Sequence, residues 1–262
     1  LREFFLQGKH PVVITGTHGK TSTSALTAWL LESGGKLPGF MIGGILRNYD
    51  RSFQAGNGSY FVVEGDEYDS AFFDKRPKFL HYRPGTAILT SIEYDHADIY
   101  PNLEAVVEAF SRFVAGISSE GLLLACGEDP LVKKVVQEAP CRVETYGLNG
   151  SNFCWGASRV EFDETGAHFL LLRKSEEVGW FHSPLWGRHN LLNALGAIGA
   201  AHHLGVRWED LRIGLAHFGG VKKRQEVRGE VRGVIVLDDF AHHPSAVRET
   251  IAAVRLRFPG RR

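Results

Sequence analysis

Apolar and polar positions in the first half of the chain follow the pattern of strands that alternate with helices. Short β-branched or aromatic runs predict strands, and longer segments with apolar residues every three or four positions predict helices. The predicted strands are 11–15, 59–63, 86–92, 121–126 and 142–146, and the predicted helices are 21–32, 103–117 and 129–138. This alternation predicts an α/β fold with a mostly parallel sheet covered by helices.

The pattern changes after Gly150. Short segments rich in aromatic and β-branched residues follow, and turn residues separate some of them. These segments lie near 152–155, 159–163, 167–173 and 178–182. They predict a small antiparallel sheet beside the parallel one.

The last part of the chain returns to helical spacing, at 189–204 and 208–218. The basic segment 221–226 is typical of a linker. Beyond it, a strand at 234–237 and a helix at 244–258 predict the first strand–helix unit of a second α/β domain.

A glycine loop joins the first predicted strand to the first predicted helix. It has the form Gly-x-x-Gly-Lys-Thr, and its residues are Gly16, Thr17, His18, Gly19, Lys20, Thr21 and Ser22. In such loops, backbone N–H groups and the helix N-terminus bind phosphate, the lysine reaches the outer phosphates, and the hydroxyl binds Mg²⁺. The alternative is a Gly-Lys-Thr turn without function, but the preceding strand and following helix favour nucleotide binding.

Polar residues stand at the ends of three predicted strands, after Thr15, at Glu64 and after Ile92. Ligands of open parallel sheets bind at the carboxyl ends of strands, so these clusters can converge. The sequence therefore predicts a metal–nucleotide site built from Thr21, Glu64 and His96, with Mg²⁺ bound mainly by oxygen atoms. For Asp66, Glu67 and Asp69, a solvated turn remains an alternative.

The composition narrows the class of protein. Lys plus Arg is 30 and Asp plus Glu is 30, which gives no global electrostatic reason to expect a nucleic-acid or anionic-membrane partner. No apolar run is long enough to span a membrane and no signal peptide is visible, so we expect a soluble, cytoplasmic enzyme without membrane insertion.

The cysteines Cys126, Cys141 and Cys154 lack metal-ligand spacing, which predicts buried, reduced thiols. Because the chain opens at Leu1 without Met and stops just after a predicted helix, we expect a piece of a longer protein.

Motifs along the chain, taken together and in order, resemble the Mur ligases, ATP-dependent amide-forming enzymes of bacterial peptidoglycan metabolism. These motifs are Gly16–Thr21, Glu64–Asp69, Ile92–Asp98, Gly187–Asn193 and Asp238–Pro244. The resemblance implies three domains in the family: 1–224 would be the central ATP-binding domain and 225–262 the beginning of the C-terminal Rossmann-like domain, with the N-terminal UDP-sugar domain absent.

The resemblance also implies roles for individual residues. The implied catalytic residues are Lys20, Glu64, His96 and Arg224. Lys20 would hold the β- and γ-phosphates of ATP, Thr21 and Glu64 would bind a first Mg²⁺, and Glu64 and His96 would lie near a second. Arg224 would reach the nucleotide phosphates.

For the nucleoside, the resemblance assigns His189 and Asn193 to adenine and Asp239 to the ribose. Without the resemblance, the first two would be read as a helix start and Asp239 as a strand-end carboxylate that caps a turn. His242 and His243 match the motif but receive no catalytic role.

Within the family, the segments 39–44, 72–82 and 238–240 resemble the branch that joins UDP-N-acetylmuramate to the tripeptide L-Ala-γ-D-Glu-meso-diaminopimelate in peptidoglycan recycling. Several family members carry a carbamylated lysine after the Asp-His motif, but no lysine lies between Pro101 and Glu120. This departure is shared by the branch that adds L-alanine to UDP-N-acetylmuramate, which is the alternative. A nucleotide-binding module without ligase activity is another, and the motif at 238–244 argues against a P-loop kinase.

Overall fold

The computed structural model describes residues 2–71, 74–148 and 152–261. The strands are β1 (His10–Thr15), β2 (Gly39–Leu46), β3 (Arg51–Gln54), β4 (Tyr60–Glu64), β5 (Asp69–Ala71), β6 (Asp74–Pro77), β7 (Thr86–Leu89), β8 (Leu122–Cys126), β9 (Arg142–Gly147), β10 (Trp155–Asp163), β11 (Gly166–Arg173), β12 (Glu176–Ser183), β13 (Glu226–Val231) and β14 (Val234–Asp238). The α-helices are α1 (Lys20–Ser33), α2 (Leu103–Ala115), α3 (Pro130–Val135), α4 (Arg188–His203), α5 (Trp208–Ala216) and α6 (Pro244–Arg257).

Ten strands form one sheet in the order β12-β11-β10-β9-β8-β7-β1-β4-β2-β3. The strands from β10 to β2 in this order pair in parallel, which confirms the predicted α/β class and mostly parallel sheet. Strand β1 lies between β4 and β7, with Ile14 opposite Glu64 and Thr15 opposite Leu89. The loop after β1 therefore emerges between the carboxyl ends of β4 and β7.

Both faces of the parallel sheet are covered by helices. Val12 and Ile14 point into a core with α1, α4 and α5, whereas Val13 points into a second core with α2 and α3. A strand that is buried on both faces needs apolar side chains at successive positions, which explains the continuous apolar run in β1. The sequence analysis did not predict strands β2 and β3. Glycines interrupt the apolar pattern of β2, and the residues of β3 are largely exposed.

The predicted antiparallel strands are present as β10, β11 and β12. They continue the parallel sheet, because Trp155 pairs in parallel with Tyr146 of β9. The prediction of separate strands near 152–155 and 159–163 was wrong: β10 is one strand with an irregularity between Ser158 and Glu161, where Arg159 has φ +50°. The pattern change at Gly150, and Phe72 and Phe73 of the 72–82 motif, lie outside the described residues.

The C-terminal unit consists of the hairpin β13–β14 and the helix α6. It packs on the central part through Ala253, which is fully buried, and through Arg257, whose guanidinium lies 4.2 Å from the centre of the Trp186 ring. The predicted linker is anchored at both ends, since Val221 is buried and bridges to Leu46 while β13 begins at Glu226. Strand β13 was not predicted because most of its residues are exposed.

Two further predictions concern membrane-spanning segments and the cysteines. No helix within 2–71, 74–148 and 152–261 combines the length and apolarity that crossing a bilayer requires. All three cysteines are free, but only Cys126 is buried, so the prediction of burial was wrong for Cys141 and Cys154, which are half-buried.

Candidate nucleotide and metal site

The glycine loop requires its two glycines. Gly16 has φ +131° and Gly19 has φ +80°, conformations that side chains disfavour. A Cβ atom at Gly16 would lie 2.1 Å from Oγ1 of Thr90, and one at Gly19 would lie 2.6 Å from Oδ1 of Asn193. The loop can therefore pack directly against the segment after β7 and against α4, and helix α1 begins at its end with Lys20.

Hydrogen bonds hold the loop to the segment after β7. The Thr17 backbone N–H donates to the Ser91 carbonyl at 2.8 Å, and the His18 N–H donates to the Ser91 hydroxyl at 3.0 Å. The Thr17 hydroxyl accepts from the Glu93 N–H at 2.8 Å. These contacts order the loop before any ligand binds.

The side chains of Thr21 and Glu64 are in contact at the start of α1, directly after the loop. The Thr21 hydroxyl donates to Oε1 of Glu64 at 2.9 Å, and Oε2 accepts from the Gly43 N–H at 2.7 Å. Arg224 approaches from the C-terminal side and donates to the Thr21 hydroxyl at 3.3 Å. A hydroxyl and a carboxylate in contact form a donor set that suits Mg²⁺, which prefers oxygen ligands.

Lys20 is paired with a carboxylate that the sequence analysis did not select. Its Nζ donates to the Gly16 carbonyl at 2.7 Å and lies 2.8 Å from Oε2 of Glu67, whose side chain is 3% exposed. Oε1 of Glu67 lies 3.1 Å from Nε2 of His96. The solvated-turn alternative is therefore wrong for Glu67. The sequence feature that could have identified Glu67 is its position, because it lies three residues beyond a buried strand that neighbours the glycine loop in the sheet.

The electrostatics of this triad follow from burial and pairing. Burial is the largest influence on Glu67 and by itself would raise the pKa, but hydrogen bonds with His96 and Lys20 outweigh it, and the net pKa is lowered. The hydrogen bond to Glu67 raises the pKa of His96. Asp66 and Asp69, by contrast, form surface ion pairs with Lys78 and Lys75.

In the described part of the chain, His96 forms no hydrogen bond with Thr21 or Glu64. Its Nδ1 lies 2.7 Å from the Tyr68 hydroxyl and its Nε2 faces Glu67, so Glu67 connects it to Lys20. His96 nevertheless lines the same cleft of about 1030 Å³ as Thr21, Glu64 and Ser22.

The residues expected near the nucleoside also line this cleft. His189 contacts Gln225, with 3.2 Å between its Nε2 and the side-chain nitrogen, and Asn193 lies against Gly19. Asp239 accepts hydrogen bonds from the Gln225 and Ala241 N–H groups, each at 2.8 Å, which is the turn-capping arrangement.

Arg224 lines the cleft beside Phe240. Its guanidinium lies 4.9 Å from the centre of the Phe240 ring, and burial lowers its pKa. Residues of the glycine loop, of α4 and of the segment after β14 all line the cleft.

The chain combines a parallel sheet, a glycine loop that opens a helix, and a hydroxyl–carboxylate pair beside a lysine, which are the features expected of a phosphate-loop nucleotide-binding fold. The Mur ligase middle domain model matches residues 14–201. The chain therefore belongs to the Mur ligase family.

Two sequence relatives show how far the similarity extends. The UDP-N-acetylmuramate–L-alanyl-γ-D-glutamyl-meso-2,6-diaminoheptandioate ligase of Haemophilus influenzae is 40% identical over 99% of this chain, which covers 56% of that relative. The UDP-N-acetylmuramate–L-alanine ligase of Desulforamulus reducens is 36% identical over 98% of this chain and 54% of its own length.

A solved structure is also similar over the whole of this chain. The crystal structure of a murein peptide ligase from Psychrobacter arcticus 273-4 matches with a TM-score of 0.81 and 33% identity, over 100% of this chain and 58% of that chain. The chain thus spans somewhat more than half the length of each of these three proteins.

Proposed function

We propose that this chain supplies the ATP-binding part of an amide ligase that forms ADP and uses UDP-N-acetylmuramate as its carboxylate substrate. The observation that carries the proposal is the Thr21–Glu64 pair beside Lys20, in a cleft that Arg224 also enters. Together these groups offer cations for phosphate oxygens and oxygen ligands for Mg²⁺. Membership of the Mur ligase family supports the reaction class.

The domain assignment is part of this proposal. Residues 1–224 would form the central ATP-binding domain and residues 225–262 the beginning of the C-terminal Rossmann-like domain. The matched length of 56% in the Haemophilus influenzae relative supports the expectation that a UDP-sugar domain and most of a third domain are needed as well. The 262-residue chain by itself would then bind nucleotide without forming an amide, and detectable amide product from it would overturn the assignment.

The proposed reaction has two steps. A carboxylate oxygen of UDP-N-acetylmuramate attacks the γ-phosphorus of ATP, ADP leaves, and an acyl phosphate forms. The α-amine of the second substrate then attacks the acyl carbon, and the tetrahedral intermediate expels phosphate. Attack of one anion on another needs neutralisation, which Lys20 and Arg224 supply.

Mg²⁺ would add further positive charge at the phosphates, held by Thr21 and Glu64, whose oxygen atoms fit its preference. A second ion near Glu64 and His96 is proposed on the family resemblance, and Glu67 is a further carboxylate within 3.1 Å of His96. For the nucleoside, we assign His189 and Asn193 to adenine and Asp239 to the ribose. Closure of the C-terminal unit over the cleft would then exclude water.

For the amine substrate, we propose the tripeptide L-Ala-γ-D-Glu-meso-diaminopimelate. The identity to the Haemophilus influenzae ligase is 40%, and the identities to the L-alanine ligases of Desulforamulus reducens and Nitratidesulfovibrio vulgaris are 36% and 39%, so this choice rests on a small margin together with the segments 39–44, 72–82 and 238–240. Consumption of ATP, together with the free thiols, supports a cytoplasmic location.

The test compares two amines. In a protein that carries this chain with all three family domains, kcat/KM is measured for the tripeptide and for free L-alanine, at saturating ATP and UDP-N-acetylmuramate. We expect the higher value for the tripeptide. A higher value for L-alanine would move the protein to the alternative branch, and absence of ADP formation with either amine would contradict the ligase proposal.

A further inference from the structure

A cluster of three side chains joins the glycine loop to the C-terminal unit. Nε2 of His18 lies 3.0 Å from Oε2 of Glu93, and Nδ1 of His243 lies 3.2 Å from the same oxygen. One ligand atom from each residue lies within 4.8 Å of the other two. The residues come from the loop before α1, the segment after β7 and the residue that caps α6, and the proposed ligase chemistry uses none of the three side chains.

We propose that His18, Glu93 and His243 bind a divalent transition-metal ion such as Zn²⁺, at a site separate from the Mg²⁺ ligands Thr21 and Glu64. Two imidazole nitrogens and one carboxylate oxygen form a donor set that suits Zn²⁺ and Co²⁺, whereas Mg²⁺ favours oxygen throughout. Metal–ligand bonds of about 2.0–2.1 Å in a tetrahedron separate neighbouring ligand atoms by about 3.3 Å. The observed spacings of 3.0 Å and 3.2 Å are close to this value.

The surroundings orient the ligands. The Ser245 hydroxyl donates to Oε1 of Glu93 at 3.1 Å, which leaves Oε2 facing the two imidazoles. Carboxylates and histidines in metal sites are commonly held by such outer contacts. The side chains of His18, Glu93 and His243 are 26%, 39% and 20% exposed, so the ion can enter and a fourth position stays open to water.

The protonation of His18 also favours binding. Burial, the largest influence, lowers the pKa of His18 despite its hydrogen bond with Glu93, and a metal ligand must be neutral imidazole. Nδ1 of His243 faces the Ser245 N–H at 3.4 Å, a long contact that a metal bond would replace. In the alternative arrangement, no metal binds and Oε2 of Glu93 accepts hydrogen bonds from both imidazole rings.

Binding would fasten the C-terminal unit to the glycine loop. An ion held by groups from both parts binds the folded arrangement and not the unfolded chain, so Zn²⁺ would raise the Tm as its concentration increases. This inference does not depend on the proposed ligase activity, because it concerns metal affinity alone.

The experiment titrates the metal-free 262-residue chain with Zn²⁺ against a chromophoric chelator, in excess Mg²⁺. We expect one Zn²⁺ per chain, with affinity lowered at least about tenfold in His243→Ala and in Glu93→Gln. The matched control is His242→Ala, because this neighbouring side chain is 62% exposed and lies outside the cluster. Co²⁺ should give the intense d–d absorption of a four-coordinate site, and His243→Ala should abolish it.

Two results would overturn the inference. The first is unchanged Zn²⁺ affinity in folded Glu93→Gln, which keeps the shape of the side chain and carries the test if His243→Ala fails to fold. The second is loss of Zn²⁺ binding in a variant outside the cluster. Loss in His96→Ala would place the ion beside Glu67, and loss in His168→Ala would place it on the stacked pair formed by His168 and His182. Neither result bears on ATP chemistry, so the proposed function would stand.

Discussion

The ammonium group of Lys20 lies 2.8 Å from the carboxylate of Glu67, which is almost completely buried. The lysine of the glycine loop is therefore neutralised by a carboxylate that lies three residues beyond β4, and its Nζ also donates to the Gly16 carbonyl. Phosphate oxygens that enter the cleft would compete with Glu67 for the same ammonium group.

Replacing Glu67 by Gln should destabilise the protein, because the change leaves Lys20 without its carboxylate partner while the side-chain shape is kept. We expect the free energy of unfolding to fall by about 3–5 kcal/mol, as for other broken buried ion pairs. The control is Glu108→Gln, which removes an exposed pair with Arg112 on α2 and should change stability by less than about 0.5 kcal/mol. Urea unfolding of both variants measures the difference, and equal losses would contradict a special role for Glu67.

Replacing Lys20 by Ala should abolish acyl-phosphate formation in a protein with all three family domains, because the point charge that stabilises the transferred phosphoryl group is lost. The chain should remain folded, since Glu67 keeps His96 as a partner. Lys133→Ala, at an exposed position of α3, is the matched control. ADP release and circular dichroism are measured together, and undiminished ADP release by the Lys20 variant would refute the assignment.

Glu64→Ala should weaken Mg²⁺-dependent nucleotide binding more than Asp69→Ala. Glu64 touches the Thr21 hydroxyl, whereas Asp69 pairs with Lys75 at the surface. Calorimetric titration of the 262-residue chain with a non-hydrolysable ATP analogue, with and without Mg²⁺, separates the two effects. We expect the benefit of Mg²⁺ to disappear in the Glu64 variant and to persist in the Asp69 variant.

Stability should decline as the pH falls below the ordinary histidine pKa of 6.5. Burial, with a smaller contribution from the charge of His203, lowers the pKa of His10, so the unfolded chain binds this proton at a higher pH than the folded chain does. A group of this kind contributes stability above its unfolded pKa, and the contribution shrinks as the pH falls toward its folded pKa, by at most about 1.4 kcal/mol per pH unit and proton.

The measurement compares urea unfolding from about pH 7.5 to about pH 5.5, above the range in which carboxylates titrate. His10→Gln cannot take up a proton and can still reach the Thr86 hydroxyl, which lies 2.9 Å from His10, so its decline should be shallower. His217→Gln, at an exposed position, should follow the parent chain. Parallel curves for all three proteins would show that His10 does not contribute.

Local patterns were sufficient to predict the strand, glycine loop and helix at 11–32, since strand and helix periodicity are properties of neighbouring residues. The parallel alternation was predictable for the same reason. Strand β2 was not, because its glycines remove the apolar signal and its pairing with β4 holds it in the sheet.

The sequence by itself determined the fold class, the glycine loop between the first strand and the first helix and, through motif order, the family. Only the tertiary structure decided that Glu67 rather than solvent faces Lys20, that His243 reaches Glu93, and that Arg224 lies against Thr21, 203 residues away along the chain. The reason is physical: such pairings depend on which strand ends are neighbours in the sheet and on how the C-terminal unit packs. Contacts among several distant segments set both, and no local period encodes them.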